Sequence, residues 1–250
     1  MLLKDLHVHT NYCDGKDSPR DIVLAAVGMG MKTLGFSGHG YTDFDESYCM
    51  SKEGTKDYKK EIRDLKKEFA GQIEILCGIE KDLFSTEDTS DYDYVIGSLH
   101  YILVGGEYIT VDWTPEIVKD AAVKYFGGDL LSFAECYYDT VSDVAEKTQC
   151  DIVGHLDLIT KFNETENLFD TKSPRYIAAW KKAVDKIMRN CTLFEINTGA
   201  ISRGYRTSPY PDYDIIEYIK EKGGRFILSS DSHSKDTLCY DFEKYKDYGL

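Results

Sequence analysis

Six histidines lie along the 250-residue chain, and each stands at or just past the end of a segment that reads as a β-strand. His7 and His9 form a His-Val-His pair. A helix would turn their imidazoles to different sides, whereas a strand points residues i and i+2 to one face. His39, His100, His155 and His233 occur in GFSGH, IGSLH, VGHLD and SSDSH. Glu80 ends CGIE and Asn197 ends FEIN. Asp14 follows His9 in the next loop, and Asp231 precedes His233 by two residues. Imidazole and carboxylate without thiolate suit Zn, Fe, Mn or Co rather than copper(I), and so many imidazoles argue against a pure Mg or Ca site. Six histidines with Asp14, Glu80 and Asp231 exceed the roughly four to six ligands of one ion, so two or three ions sharing a carboxylate such as Glu80 are the economical arrangement. Such a cluster lowers the pKa of bound water towards neutrality and clamps the oxygens of a phosphoryl group. Arg203 and Arg206 follow in NTGAISRGYRTSPYP, and an arginine fork matches phosphate geometry, so at least one is expected to bind a substrate phosphate. Cys13 lies close to the candidate ligands but is expected to be a bystander.

These side chains converge only if the strands that carry them share one end. The predicted strands are Leu3–His9, TLGFSGH, IEILCGIE, YDYVIGSLH, DIVGHLD, TLFEINTG and RFILSSDSH. Helical patterns alternate with them. In DSPRDIVLAAVGMG, Ser18 is the expected N-cap and Pro19 the first helical residue. In SKEGTKDYKKEIRDLKKEFAG, Tyr58, Ile62, Leu65 and Phe69 line one face, leaving the charged remainder to solvent. Further helices are expected around Pro115–Phe126 and Asp129–Lys147, in SPRYIAAWKKAVDKIMRN, and in PDYDIIEYIKEKGG. No linker, repeat or low-complexity tract breaks the alternation, which predicts one parallel α/β domain over residues 1–250, either a barrel or an open sheet. In a barrel the C-terminal strand ends converge on one mouth. In an open sheet they gather at a topological switch point.

The net charge of −14 repels phosphodiester backbones, so long nucleic acids are not expected partners, while a basic pocket for one small phosphate is compatible with it. No stretch approaches the roughly 18 apolar residues of a membrane span, and no secretory signal is seen in MLLKDLHVHT. Seven scattered cysteines without a CxxC pair read as reduced thiols in a cytoplasm.

The motifs DLHVHTNYCDG, FSGHGYTDF, CGIEKD, DYVIGSLHYI, DIVGHLDLITKFN, LFEINTGAISRG with YP after it, and SSDSH together resemble the PHP (polymerase and histidinol phosphatase) superfamily. GSLHYI and GHLDLITKFN are similar to its histidinol-phosphate phosphatase branch. The resemblance implies a distorted (β/α)7 TIM-like barrel with a trinuclear centre of Zn, Fe or Mn at the C-terminal mouth. It implies one ion on His7, His9, Glu80 and Asp231, and a second on Glu80, His100 and His155, with Glu80 bridging. Asp14, His39 and His233 would hold the third; some relatives place His where this chain has Asp14, which bears on that ion's identity. The implied reaction is hydrolysis of L-histidinol phosphate to L-histidinol in histidine biosynthesis, with Asp231 or His233 protonating the leaving group. The substrate also carries an ammonium and an imidazole. Asp43, Asp45 and Glu46 could meet the charge, and Tyr41, Tyr101 and Trp113 could stack on the ring. Competing readings are a PHP-type esterase for another small phosphate ester or nucleotide, an amidohydrolase-like metal hydrolase, and a non-catalytic scaffold. The isolated Glu80, the terminal DSH and the absence of a lysine ending a strand disfavour the amidohydrolase. A full ligand set disfavours the scaffold.

Overall fold

Alternation of strand and helix forces parallel pairing, since each helix returns the chain to the starting edge. In the computed structural model, which describes residues 3–248, the strands are β1 (Lys4–Asp5), β2 (Thr33–Phe36), β3 (Glu74–Asp82), β4 (Tyr94–Ser98), β7 (Ile152–Val153), β8 (Leu193–Asn197) and β9 (Arg225–Ser229), in that spatial order. All six neighbouring pairs are parallel. Beyond these strands the first and last segments meet. His9 N donates to Ser232 O at 2.8 Å and Ser232 N to His7 O at 3.0 Å. The sheet therefore curls into a nearly closed seven-stranded barrel.

The helices on the outside are α1 (Pro19–Gly28), α2 (Lys52–Glu68), α3 (Pro115–Phe126), α4 (Leu130–Val141), α5 (Val144–Thr148), α6 (Asn163–Glu166), α7 (Pro174–Ile187), α8 (Gly199–Ser202), α9 (Tyr213–Glu221) and α10 (Phe242–Tyr245). Ser18 caps α1 by accepting from Asp21 N. Helix α2 buries Tyr58, Ile62 and Leu65 against the sheet, while its charged face stays in water. The last helix is only four residues long, and it buries Phe242 and Tyr245.

Three local features differ from the sequence-based expectations. Ladder pairing of β1 covers only two residues, because the chain from His7 to His9 leaves the β2 register to meet Ser232. A single helix over Asp129–Lys147 is interrupted at Ser142 and Asp143, which separate α4 from α5. An antiparallel hairpin, β5 (Tyr101–Val104) and β6 (Glu107–Thr110), was not anticipated. Gly105 and Gly106 make its turn, both at positive φ, where a side chain would be strained. The hairpin stands beside the mouth of the barrel. No helix among the described residues is long and apolar enough to cross a membrane.

Candidate metal centre

All six histidines gather at the C-terminal ends of the strands, around Glu80 near the end of β3. Glu80 Oε2 lies 3.2 Å from His7 Nε2, 3.5 Å from His9 Nε2 and 3.0 Å from His39 Nδ1. Its Oε1 lies 2.9 Å from His155 Nε2 and 3.3 Å from His100 Nε2. Asp231 Oδ1 is 3.3 Å from His9 Nε2 and 3.6 Å from His233 Nδ1. Asp14 Oδ2 is 3.2 Å from His233 Nε2 and 3.6 Å from His39 Nε2. The nine residues fall into overlapping groups whose donor atoms lie within 4.8 Å of one another: His9, Asp14, His39 and His233; His7, Glu80 and His155; His7, His9 and Asp231; His39, Glu80 and His100. His9 thus stands beside the Asp14 group as well as the Asp231 group.

Backbone geometry serves this convergence. Asp231 adopts φ of 48°, a left-handed conformation that costs a non-glycine residue about 1 kcal/mol or more. Arg203 holds it there, donating from Nη1 to its carbonyl at 2.9 Å and from Nη2 to Oδ2 at 3.1 Å. Gly199 permits the approach. A Cβ at that position would lie 2.8 Å from Asp231 Oδ2 and 2.9 Å from Arg203 Nη2.

Three buried carboxylates outside the predicted ligand set support it. Glu195, in the middle of β8, accepts from His155 N at 2.6 Å and Asn197 Nδ2 at 2.9 Å, and its Oε2 is 2.8 Å from His7 Nδ1. Asp82 accepts from His100 N at 2.8 Å and lies 3.2 Å from His100 Nδ1. Asp5 accepts from Ser230 N at 3.1 Å and Cys239 N at 3.0 Å, sealing the first strand to the last. The sequence reading missed all three. A signal was present, since Asp5 shares the i, i+2 face of His7 and His9, and Asp82 shares that of Glu80.

Burial alone would hold His7 neutral, yet the charges of Glu195, Glu80 and Asp231 outweigh it and raise its pKa well above the usual imidazole range. Burial likewise opposes protonation of His39, but Glu80 and Asp14 raise its pKa to about 9. His9 goes the other way, to about 3, through burial and its neighbours His233 and His39. Burial opposes ionisation of Glu80, and the surrounding histidines overcome it, holding its carboxyl well below its ordinary value. The site is therefore a closely coupled network of carboxylates and imidazoles that hold one another in opposite charge states. His7 Nε2, His9 Nε2 and Glu80 Oε2 are buried, mutually close and without a hydrogen bond, as is His155 Nδ1. Converging ring nitrogens and carboxylate oxygens left without partners fit divalent cations, which would take the place of the protons bound by the metal-free site.

The cluster floors a cavity of about 590 Å³. Arg203, Tyr101, Trp113, Asp45, Asp112 and Lys161 are among its walls. Arg203 uses three of its five donors on Asp231 and on His233 Nδ1 at 3.0 Å, leaving two for a ligand. Arg206 is a correction to the sequence reading. It does not line the cavity, and only 5% of it is exposed. Its guanidinium is taken up by Thr160, Ser208 and Asp212, with Asp157 3.6 Å away. Tyr41, Asp43 and Glu46 also fall outside the lining residues, Tyr41 donating instead to Glu46 at 2.9 Å. Cys13 Sγ approaches His9 Nδ1 at 3.6 Å, and burial pushes its pKa up to about 12, which disfavours the thiolate a nucleophile requires.

Residues 5–199 match the family model described as the PHP domain. The chain belongs to the PHP family. This PHP protein is 29% identical over 254 residues to a "Probable histidinol-phosphatase" of Deinococcus radiodurans, with 96% of this chain and 90% of the relative covered. It is 25% identical over 269 residues to the "Histidinol-phosphatase" of Bacillus subtilis, with 98% of each chain covered. A crystal structure from Listeria monocytogenes, provisionally named a histidinol phosphatase, superposes with a TM-score of 0.82 at 21% identity over 97% of this chain and 99% of that one. The histidinol phosphate phosphatase of Lactococcus lactis, solved with Zn, L-histidinol and phosphate, gives 0.66 at 20% identity over 100% and 94%. The two superpositions cover 97% and 100% of this chain, so the barrel fold is shared over nearly all of its length.

Proposed function

We propose that this chain is a metal-dependent phosphomonoesterase that hydrolyses L-histidinol phosphate to L-histidinol and phosphate, its one catalytic domain spanning residues 1–250. The observation that carries the chemistry is the convergence of five histidines on Glu80, with His233 on the neighbouring Asp14 and Asp231, and with buried donor atoms left unbonded. The names of the Deinococcus and Bacillus relatives, and the L-histidinol and phosphate held by the Lactococcus protein, support the substrate. Its Zn supports zinc here, with iron and manganese also compatible with the donor set.

Two to three ions would be held by His7, His9, Glu80 and Asp231, by Glu80, His100 and His155, and by Asp14, His39 and His233. Divalent ions bound there supply Lewis acidity towards phosphate oxygens and lower the pKa of water to near neutrality. Arg203 would fork onto the phosphate with its two remaining donors, beside Asp231 and His233. Asp231 or His233 would supply the proton that the leaving oxygen needs, and Glu80, whose two oxygens face different histidines, would be shared between sites. Leu158 and Ile117 give the cavity wall an apolar part that would limit water around the ester. The reading places the enzyme in a reducing cytoplasm, in keeping with its seven free cysteines.

The test is phosphate release from L-histidinol phosphate, p-nitrophenyl phosphate and a nucleoside monophosphate, using protein as purified and protein reloaded with Zn or Mn. A marked kcat/KM preference for L-histidinol phosphate is expected. Activity confined to the other two esters would refute the substrate, and no activity at full metal loading would refute the reaction.

A further inference from the structure

Five carboxylates line the cavity: Asp14, Asp45, Glu80, Asp112 and Asp231. Four of them have a basic partner within the protein. Asp14 and Glu80 face histidines, at 3.2 Å from His233 and 3.0 Å from His39. Asp112 is 3.2 Å from Lys161 Nζ, and Asp231 is 3.1 Å from Arg203 Nη2. Asp45 differs. Its partners are neutral donors only: Ser47 N at 2.9 Å, Ser47 Oγ at 2.6 Å and Tyr101 Oη at 2.7 Å. No lysine, arginine or histidine nitrogen lies within 4.0 Å of it among the described residues. Burial would raise its pKa, but the bonds from Ser47 and Tyr101 outweigh this and hold the carboxyl below its ordinary value.

Asp45 is only half-buried, so its carboxylate stays charged at the cavity wall, and with no basic partner of its own it is free to attract a cation carried by a ligand. Asp45 is also held rigidly. Thr42 Oγ1 donates to its carbonyl at 2.7 Å, and Tyr101 reaches it from the hairpin. Tyr48 stands between it and the cluster, its ring centroid 5.9 Å from that of Tyr101 and 4.9 Å from that of His39. The cavity is therefore polarised, with Arg203 and the ligand cluster at one part and an unmatched carboxylate flanked by tyrosine rings at another. Aromatic faces and a carboxylate together favour a cation.

We infer that Asp45 is the specificity residue for the leaving group: its carboxylate receives a positively charged nitrogen of the alcohol being released. This rests on the phosphomonoesterase reading above and names what selects its substrate. An ester with a neutral or anionic leaving group gains nothing from Asp45, so discrimination is built into the wall rather than into the metal centre.

The experiment compares kcat/KM for L-histidinol phosphate with that for 3-phenylpropyl phosphate, an uncharged alkyl ester of similar size. Wild type, Asp45→Asn and Asp45→Glu are each assayed as metal-loaded full-length protein. Loss of one charge-assisted contact predicts that the selectivity ratio falls about 10- to 100-fold in Asp45→Asn, mainly through KM for the cationic ester. Asp45→Glu, which keeps the charge, should recover part of the ratio. An unchanged ratio in Asp45→Asn overturns the inference, whether both activities persist or both fall together, since Asp45 would then only hold its loop. A wild type that does not prefer the cationic ester would instead refute the substrate reading itself.

Discussion

Glu195 offers the sharpest test of how the barrel prepares its metal ligands. Its two oxygens serve three groups: His7 Nδ1 at 2.8 Å, His155 N at 2.6 Å and Asn197 Nδ2 at 2.9 Å. Glu195→Gln preserves shape and volume but replaces one oxygen with an NH2 that cannot accept. At least one of the three bonds then becomes a clash between donors. If the amide nitrogen faces His7, the imidazole loses the acceptor that fixes Nδ1 as its protonated nitrogen and turns Nε2 towards Glu80. Loss of such a supporting hydrogen bond lowers metal affinity about 10- to 100-fold, which corresponds to roughly 1.4–2.7 kcal/mol. The substitution also lowers the basicity of His7, whose pKa is raised by Glu195 and Glu80 against burial. That easing of proton competition partly offsets the loss at neutral pH and fades in alkali, so the variant's deficit should widen as pH rises. Competition with a chromogenic chelator at two pH values reads both effects. Affinity within about two-fold of wild type at both would refute the claim that Glu195 positions His7.

Replacing His7 or Glu80 by Ala should strip metal and abolish hydrolysis while leaving the far-UV spectrum largely intact; unchanged turnover, with metal content measured by elemental analysis, would sink the ligand assignment. Arg203→Ala should raise KM for the phosphate ester about 10-fold or more, by loss of a charged hydrogen-bonding fork. Arg206→Ala should act on stability instead, since it leaves Asp157 buried without its counter-charge at 3.6 Å; about 3–5 kcal/mol, or a Tm fall near 10 °C, is expected by calorimetry with far less change in KM than Arg203→Ala produces. The metal-free protein should lose stability in alkali. His39 rises from 6.5 to about 9 on folding, so its contribution is complete below pH 6.5 and gone above pH 9. Thermal melts of chelated protein across that window check it, and a flat or rising Tm would contradict the assignment.

Much of this site was legible because its residues sit at positions with a fixed meaning. In a parallel barrel a strand's C-terminal end faces the mouth, so His39, His100 and His155 declared their place by following apolar runs. His7 and His9 did so through the two-residue period of extended chain. Arg203 and Arg206 show where that reasoning stops. They are three residues apart in one loop and identical in type, yet one lines the cavity and the other is buried beneath Thr160 and Asp212. Loop geometry has no short period from which to read direction. The β5–β6 hairpin escaped notice for a related reason: YILVGGEYIT breaks the strand-helix alternation and pairs only with itself.

The order of elements, the parallel sheet and the identity of the chemistry-bearing residues were properties of the sequence alone, because periodicity, capping and residue type are local. Which carboxylates support rather than bind was decided by tertiary structure. Glu195 reaches His7 across 188 positions and Asp5 reaches Ser230 across 225, contacts that exist only once the barrel closes. The isolation of Asp45 was decided there too. Its neighbours in sequence are other acids and aromatics, and only the folded cavity shows that every other lining carboxylate already has a basic partner. Local sequence specifies what a side chain can do, and long-range packing determines which partners remain for it.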